Sequence, residues 1–280
     1  MITSADRVFF QENGYLVLDN VFNINKLESI KKILQEIVWL LIQKAKTDNP
    51  SNHLLAGVTR DTIVSDVLNI LETINHKHVV EFVDCLSSGN NPYIAHLLSA
   101  QKILNHVNIL LDMPLSNPLF TTSCGGLFAP QKDQLYTANK WHTDVFYTHP
   151  GAQYIHLWAP LVEDSVDNLG ALHIMPRSHK QPFCGQIRDE TRRDSNIHKF
   201  TVSDTLLDEY EDRIIEIKLG QALFFDKHLV HRGGINVTDR GRFGLIGFYH
   251  SMSGLNFSPY SFGHPKQITD DEYFYQIMGR

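Results

Sequence analysis

Cysteine is scarce in this chain: Cys85, Cys124 and Cys184 are the three in 280 residues. An odd, scattered set offers neither the pairing of a disulfide-stapled secreted domain nor the close spacing of a thiolate metal site. It reads as free thiols in a reducing compartment. An excess of positive charge is also lacking, with 25 Lys and Arg against 31 Asp and Glu, a net charge of −6 and a pI near 6.2. That removes the basic footprint on which nonspecific nucleic-acid binding depends. Long apolar runs are missing too. The longest, IVWLLI at residues 37–42, falls far short of the roughly 20 residues that span a bilayer. The opening MITSADRVFF does not have the basic-then-apolar order of a signal peptide. There is no internal repeat, low-complexity tract or Pro/Gly/Ser linker. The expectation is a cytoplasmic globular protein with no nucleic-acid partner and no membrane segment.

What is present fits one large domain over 1–280. Hydrophobic residues make up 42% and charged residues 20%, ordinary values for a globular chain. Residues 8–22 read as a strand entering a short connection, with Asn13-Gly14 as a turn before YLVL. A helix is predicted over about 25–46, capped by Asn23 or Asn25, because Leu27, Ile30, Ile33, Leu34, Ile37 and Leu41 recur at helical spacing. Further helices are predicted over about 61–86, opened by Asp61, and about 92–112, with Pro92 in the first turn. From about residue 119 the texture changes to short runs of Phe, Ile, Leu and Thr broken by Gly, Pro and Asp. The segments 119–128, 153–162, 171–176, 213–218, 222–225 and 243–250 read as strands. In QYIHLWAPL the apolar positions alternate, as when one strand face fills a barrel and the other meets a covering layer. Helices segregated before many short strands predict an α+β, mainly β fold: a double-stranded β-helix, or cupin-like jelly roll, over about 119–250, buttressed by helices from 1–118. The long polar stretch 177–212 is expected to form a lid over the barrel mouth, and 251–280 a C-terminal tail.

The chemistry concentrates in NKWHTDVFY. On a strand, side chains at i and i+2 share a face, so His142 and Asp144 would stand side by side. His231, in FFDKHLVHRGGIN, follows Asp144 by 87 residues, and Arg242 follows His231 by 11. Two histidines and one carboxylate on one side of a metal leave the opposite positions open, the pattern of non-haem Fe(II) oxygenases. Arg242 would offer a planar fork to the far carboxylate of a co-substrate. It sits among Phe243, Leu245 and Ile246, where burial without a partner is costly; an ion pair with Asp239 is the plainer alternative. His228 competes with His231 but lacks the arginine 11 residues on and the Gly-Gly-x-Asn context. His149, His156, His173 and His250 read as core or surface histidines with satisfied hydrogen bonds, His179 as a turn-stabilising residue, and Asn236 as a turn cap. The same ligand set could hold zinc in a hydrolase, although hydrolysis gives Arg242 no role. A non-catalytic jelly-roll binding protein is a further alternative.

Four segments in order, FFQENGYLVLDNVFN, WHTD, LWAPLVEDSVDNLGALHIMPRSHK and GQALFFDKHLVHRGGINVTDRGRF, resemble the phytanoyl-CoA dioxygenase family of Fe(II)/2-oxoglutarate oxygenases. The resemblance implies Fe(II) held by His142, Asp144 and His231. It implies 2-oxoglutarate chelating that metal with its far carboxylate on Arg242, and O2 taking the last position. Trp158 aligns with a family tryptophan that contacts 2-oxoglutarate, with core packing as the alternative. The implied reaction oxidises a C–H bond of a small-molecule metabolite, releasing succinate and CO2. Asp144 stands where related halogenases carry a small residue, which favours hydroxylation, or another oxidation such as desaturation. Two positions depart from the family. Arg177 stands where glycine is frequent. Gly233, in the co-substrate site beside Arg242, stands where a serine often helps that arginine. Nothing in the sequence selects a substrate or an oligomeric state.

Overall fold

The computed structural model describes residues 2–62, 64–87, 89–129, 140–144, 153–181, 186–188, 200–202, 204–238 and 240–251. The first element corrects the sequence reading. Residues 8–13 belong to a helix, α1 (Ser4–Asn13), and not to a strand. Thr3 and Asp6 form a reciprocal capping box at its start, which satisfies backbone donors that would otherwise be orphaned. Gly14, at φ 79°, ends it in the left-handed conformation, so Asn13-Gly14 terminates a helix before β1 (Tyr15–Leu18).

The long helix lies where the periodicity put it, as α2 (Ile24–Asp48), with Asn23 as its cap. Its buried stripe runs Leu27, Ile30, Leu34, Val38, Ile42 and Ala45, and Ile37 and Leu41 flank it. The next two expected helices are each divided. Residues 61–86 give α3 (Val64–Ile74) and α4 (His76–Asp84), because the Asn75 side chain caps α4 by accepting from Lys77 N–H. Short polar side chains compete with helical backbone bonds in this way. Residues 92–112 give α5 (Pro92–Leu98) and α6 (Gln101–Leu110), divided at Ser99-Ala100.

In chain order the later elements are β2 (Leu119–Ala129), β3 (Tyr154–Pro160), β4 (Leu172–Ile174), β5 (Gln186–Arg188), β6 (Phe200–Val202), then α7 (Asp204–Leu207), β7 (Arg213–Ile215), β8 (Ala222–Asp226), β9 (His231–Gly233) and β10 (Arg242–Ser251). Strands β2, β3, β4, β7, β8 and β10 fall where strands were expected, whereas β5, β6 and α7 lie within the stretch expected to be a lid and β9 is a further short strand. They form a five-stranded antiparallel sheet ordered β1-β8-β3-β10-β2, a three-stranded sheet ordered β7-β4-β9, and the pair β5-β6. Strand β3 explains how the layers close. All seven of its residues are buried, and its side chains alternate between two cores. Ile155, Leu157 and Ala159 pack with the helices, while Trp158 joins Leu172, Ile174, Ile215, Leu223 and Phe225 between the two larger sheets. This is the predicted jelly roll with its helical cover. A hydrogen bond of 2.7 Å from Tyr249 Oη to the Leu98 carbonyl ties α5 to the sheet.

Much of the expected lid, residues 182–185, 189–199 and 203, lies outside the described residues, as does the tail 252–280. The start of that segment is docked onto α1. Arg177 N–H donates to the Asn13 carbonyl at 3.0 Å, and Lys180 pairs with Glu12 at 2.6 Å. Arg177 itself, at φ 71°, adopts the left-handed conformation that glycine takes without strain.

Candidate metal centre

Residues 141–144 are not a strand. His142 makes an isolated bridge to His231: its N–H donates to the His231 carbonyl at 3.0 Å, and its carbonyl accepts from the His231 N–H at 2.9 Å. Backbone pairing thus brings the two imidazoles together, with ring centroids 4.4 Å apart. Each ring is oriented alike. His142 Nδ1 lies 2.7 Å from the Lys140 carbonyl and His231 Nδ1 lies 2.9 Å from the Leu229 carbonyl. A carbonyl can only accept, so the proton sits on Nδ1 and Nε2 is left as the ligand atom in both.

Asp144 completes the set. Its Oδ1 lies 3.5 Å from His142 Nε2, and its Oδ2 lies 3.3 Å from His231 Nε2. One donor atom from each of the three residues falls within 4.8 Å of the others, and all three residues are buried. Burial pushes the Asp144 carboxyl up, but facing His231 and His156 more than offset this and hold it well below the usual carboxylate range. Burial pushes His231 down, and the Asp144 carboxylate outweighs it and raises it. Two imidazole nitrogens and a carboxylate oxygen, all dry and convergent, suit a divalent first-row metal.

Arg242 opens β10 beside this set. Its Nη1 is buried and has no hydrogen-bond partner among the described residues. Desolvation pushes its pKa down to about 10, so it stays charged at neutral pH. The expected neighbours surround it. The guanidinium lies 5.7 Å from the centre of the Trp158 ring, and a Cβ added to Gly233 would be 3.7 Å from Nη2. Gly244 lets Trp158 lie close, since a Cβ there would be 3.2 Å from its Nε1. Gly233 is two residues from His231 on β9, about 7 Å of strand rise, so β9 links the surroundings of the guanidinium to the candidate ligands. The buried Nη1, without a partner among the described residues, is the feature that a co-substrate carboxylate would complete. The alternative partner, Asp239, lies outside the described residues.

The other histidines separate cleanly, with one correction. His173 pairs with Asp212 at 2.8 Å, and the Asp212 carboxylate also takes Arg232 at 3.2 Å. Arg232 lies 4.6 Å over the Trp141 ring, so this cluster clamps the residue preceding His142. His179 Nε2 bonds the Gln11 carbonyl at 3.1 Å, and Asn236 holds its turn through Thr238 N–H and the Arg240 carbonyl, both structural as expected. His250 stacks on Tyr154 at 4.7 Å. His149 lies outside the described residues. His156 is the exception, because it is not merely a core histidine: its Nδ1 lies 2.9 Å from Asp144 Oδ2. Its place two residues before Trp158, on the inward face of β3, was the sequence signal for it.

Among the described residues, no helix is long and apolar enough to cross a membrane, and Cys85 is a free thiol. Residues 10–244 match the family model described as phytanoyl-CoA dioxygenase (PhyH). The chain is 23% identical to phytanoyl-CoA dioxygenase domain-containing protein 1 of Danio rerio, over 91% of this chain and 92% of that one. Among solved structures it resembles EvdO2 from Micromonospora carbonacea var. aurantiaca complexed with 2-oxoglutarate, at 18% identity and TM-score 0.54, covering 95% of this chain and 96% of that one. It also resembles EctD from S. alaskensis with 2-oxoglutarate and 5-hydroxyectoine, at 17% identity and TM-score 0.56, covering 96% and 82%. At these identities the two structures share a fold with this chain.

Proposed function

From the premise that the chain belongs to the phytanoyl-CoA dioxygenase family, a family of Fe(II)- and 2-oxoglutarate-dependent dioxygenases, we propose that it hydroxylates an unactivated C–H bond of a small-molecule metabolite. The observation that carries this reading is the buried convergence of His142, Asp144 and His231. In this reading those three side chains hold Fe(II), and Arg242 grips the far carboxylate of 2-oxoglutarate with Trp158 and Gly233 beside it. The chain acts as one dioxygenase domain, with residues 1–118 as its helical buttress.

Fe(II), 2-oxoglutarate and O2 together supply the oxidising chemistry, with succinate and CO2 as co-products. The protein's own contribution is placement. The Nδ1–H bonds to Lys140 and Leu229 carbonyls hold both Nε2 atoms toward one point. Arg242 selects a dicarboxylate over a simple keto acid, because its fork is satisfied only by a second carboxylate. The apolar wall of Trp158, Leu223, Phe225 and Leu229 keeps water from the site.

The test is anaerobic titration of metal-free protein with Fe(II) and then 2-oxoglutarate, following the visible charge-transfer band of the chelate. The band should appear in wild type and be absent in Asp144→Ala and His231→Ala, both of which should fold and show no turnover of 2-oxoglutarate to succinate. Folded wild-type protein with no band would favour the zinc hydrolase or a silent binding protein, and near-normal turnover in either variant would remove the triad from the chemistry.

A further inference from the structure

His156 is buried to 2% exposure and directs Nδ1 at Asp144 Oδ2, 2.9 Å away. An ionised carboxylate only accepts, so the ring proton in this contact sits on Nδ1. The mutually close donor atoms belong to His142, Asp144 and His231, so His156 stands outside the ligand set and contacts one ligand at Oδ2, the oxygen that also lies 3.3 Å from His231 Nε2. Its ring has little freedom to turn. Phe248 lies against it at 4.3 Å, Phe225 at 4.8 Å, and Tyr154 stacks on it at 5.1 Å. Tyr154 also donates its hydroxyl to the Asp144 backbone carbonyl at 3.1 Å. One ladder of inward residues on β3 therefore holds both the main chain and the side chain of Asp144. The pairing behind it is regular: His156 faces Phe225 of β8 and Phe248 of β10 in register.

Resting on the metal centre proposed above, we propose that His156 is a positioning residue that keeps Asp144 a one-oxygen ligand by occupying Oδ2 with the Nδ1–H bond and leaving Oδ1 for the metal. A carboxylate has two equivalent oxygens and can bind a cation with either or both. On a six-coordinate metal, three protein donors and a two-point co-substrate leave a single position. A second Asp144 oxygen would fill it. A fixed donor on Oδ2 withdraws that oxygen's electron density and its freedom to swing, so the last position stays available. Partners behind a ligand orient it and tune its affinity in this manner.

The experiment titrates metal-free wild type, His156→Asn, His156→Gln and His156→Leu with Co(II), reading the dissociation constant and the intensity of the visible ligand-field bands. Circular dichroism and a thermal melt check the fold of each. An Asn amide can place a donor near the Nδ1 position, whereas Gln places it near Nε2. His156→Gln and His156→Leu should bind Co(II) about 10- to 100-fold more weakly, and His156→Asn within about threefold of wild type. The bands of the Gln and Leu proteins should also be weaker, since an added carboxylate oxygen raises the coordination number. Should the leucine variant not fold, the Asn and Gln pair, equal in polarity, still decides. Binding within about twofold in every variant, or an equal loss in Asn and Gln, would overturn the role of His156. Wild type that takes up no Co(II) would overturn the triad reading itself, and this role with it.

Discussion

Replacing Arg242 by methionine should move two observables in opposite directions. In the protein without co-substrate the guanidinium is desolvated, its pKa pushed from 12.5 down to about 10 by burial. A shift of that size corresponds to roughly 3 kcal/mol of unfavourable burial at about 1.4 kcal/mol per unit. Residual solvent contact of this half-buried side chain and its contact with the Trp158 ring at 5.7 Å offset about 1 kcal/mol of it. Methionine fills the stem's volume without a charge, so Arg242→Met should stabilise the metal-free protein by about 2 kcal/mol. For a chain of this size that raises Tm by roughly 5 °C. If Arg242 grips the co-substrate as proposed, the same change would remove a two-point charge-assisted pair, worth about 3 kcal/mol, and should weaken 2-oxoglutarate about 100-fold. Calorimetry of metal-free protein measures the first effect, and anaerobic titration of Fe(II)-loaded protein with 2-oxoglutarate the second. A lower Tm would mean that the guanidinium braces the fold through a protein partner. An unchanged 2-oxoglutarate affinity would place the co-substrate elsewhere.

Three further changes probe the frame around the site. His106 is buried on α6 with its ring 5.9 Å from Phe224, and burial, then Lys102, pushes it down to about 4. The unfolded chain takes up this proton below about 6.5 and the folded chain only near 4. Stability is therefore full above that window, and about 2.5 kcal/mol of it is lost by pH 4.5. Urea melts of His106→Leu at pH 7.5 and 4.5 should lack this increment, and an equal acid loss in both proteins would clear His106. Arg177 is exposed and left-handed at φ 71°, so Arg177→Gly should raise stability by about 0.5–1 kcal/mol after the glycine's own entropy cost; a drop in the urea midpoint would show that the arginine side chain matters more than its backbone. At Gly170, φ 81°, an added Cβ would lie 2.7 Å from the Gly234 carbonyl oxygen, and Gly170→Ala should cost about 2–3 kcal/mol, a loss that a melt within about 0.5 kcal/mol of wild type would contradict.

The site was legible because its chemistry is written in short, fixed spacings. His-x-Asp, the later histidine and an arginine 11 residues on are one-dimensional facts, and the fold brings them into one place. Most of the longer strands were legible because β-branched and aromatic runs are cut by Gly, Pro and Asp, whereas the three-residue β5, β6 and β9 are too short to leave such a pattern. Three other things were not. The first helix hides in a segment of mixed character. Its signal was Thr3 and Asp6, a capping pair with Asp where Glu is more usual, and this outweighed the strand-like Val8-Phe9-Phe10. His156 reads as a core or surface histidine in the sequence because its partner is chosen by strand pairing. Asp144, 12 residues earlier, reaches it only when residues 141–144 lie against β9. The split helices have the same origin, since a side chain such as Asn75 breaks a periodic pattern that apolar spacing alone continues through.

The reciprocal bonds between His142 and His231 have a temporal consequence. They close a loop of 89 residues, whose closure entropy opposes early formation by roughly 4 kcal/mol, and such distant pairings come late in folding. During synthesis, the first two donors leave the ribosome long before the third. A chain still short of residue 231 therefore presents one imidazole and one carboxylate, a weak pair for any divalent ion. On the proposed assignment, a redox-active metal would then be captured only by a barrel already closed around its place.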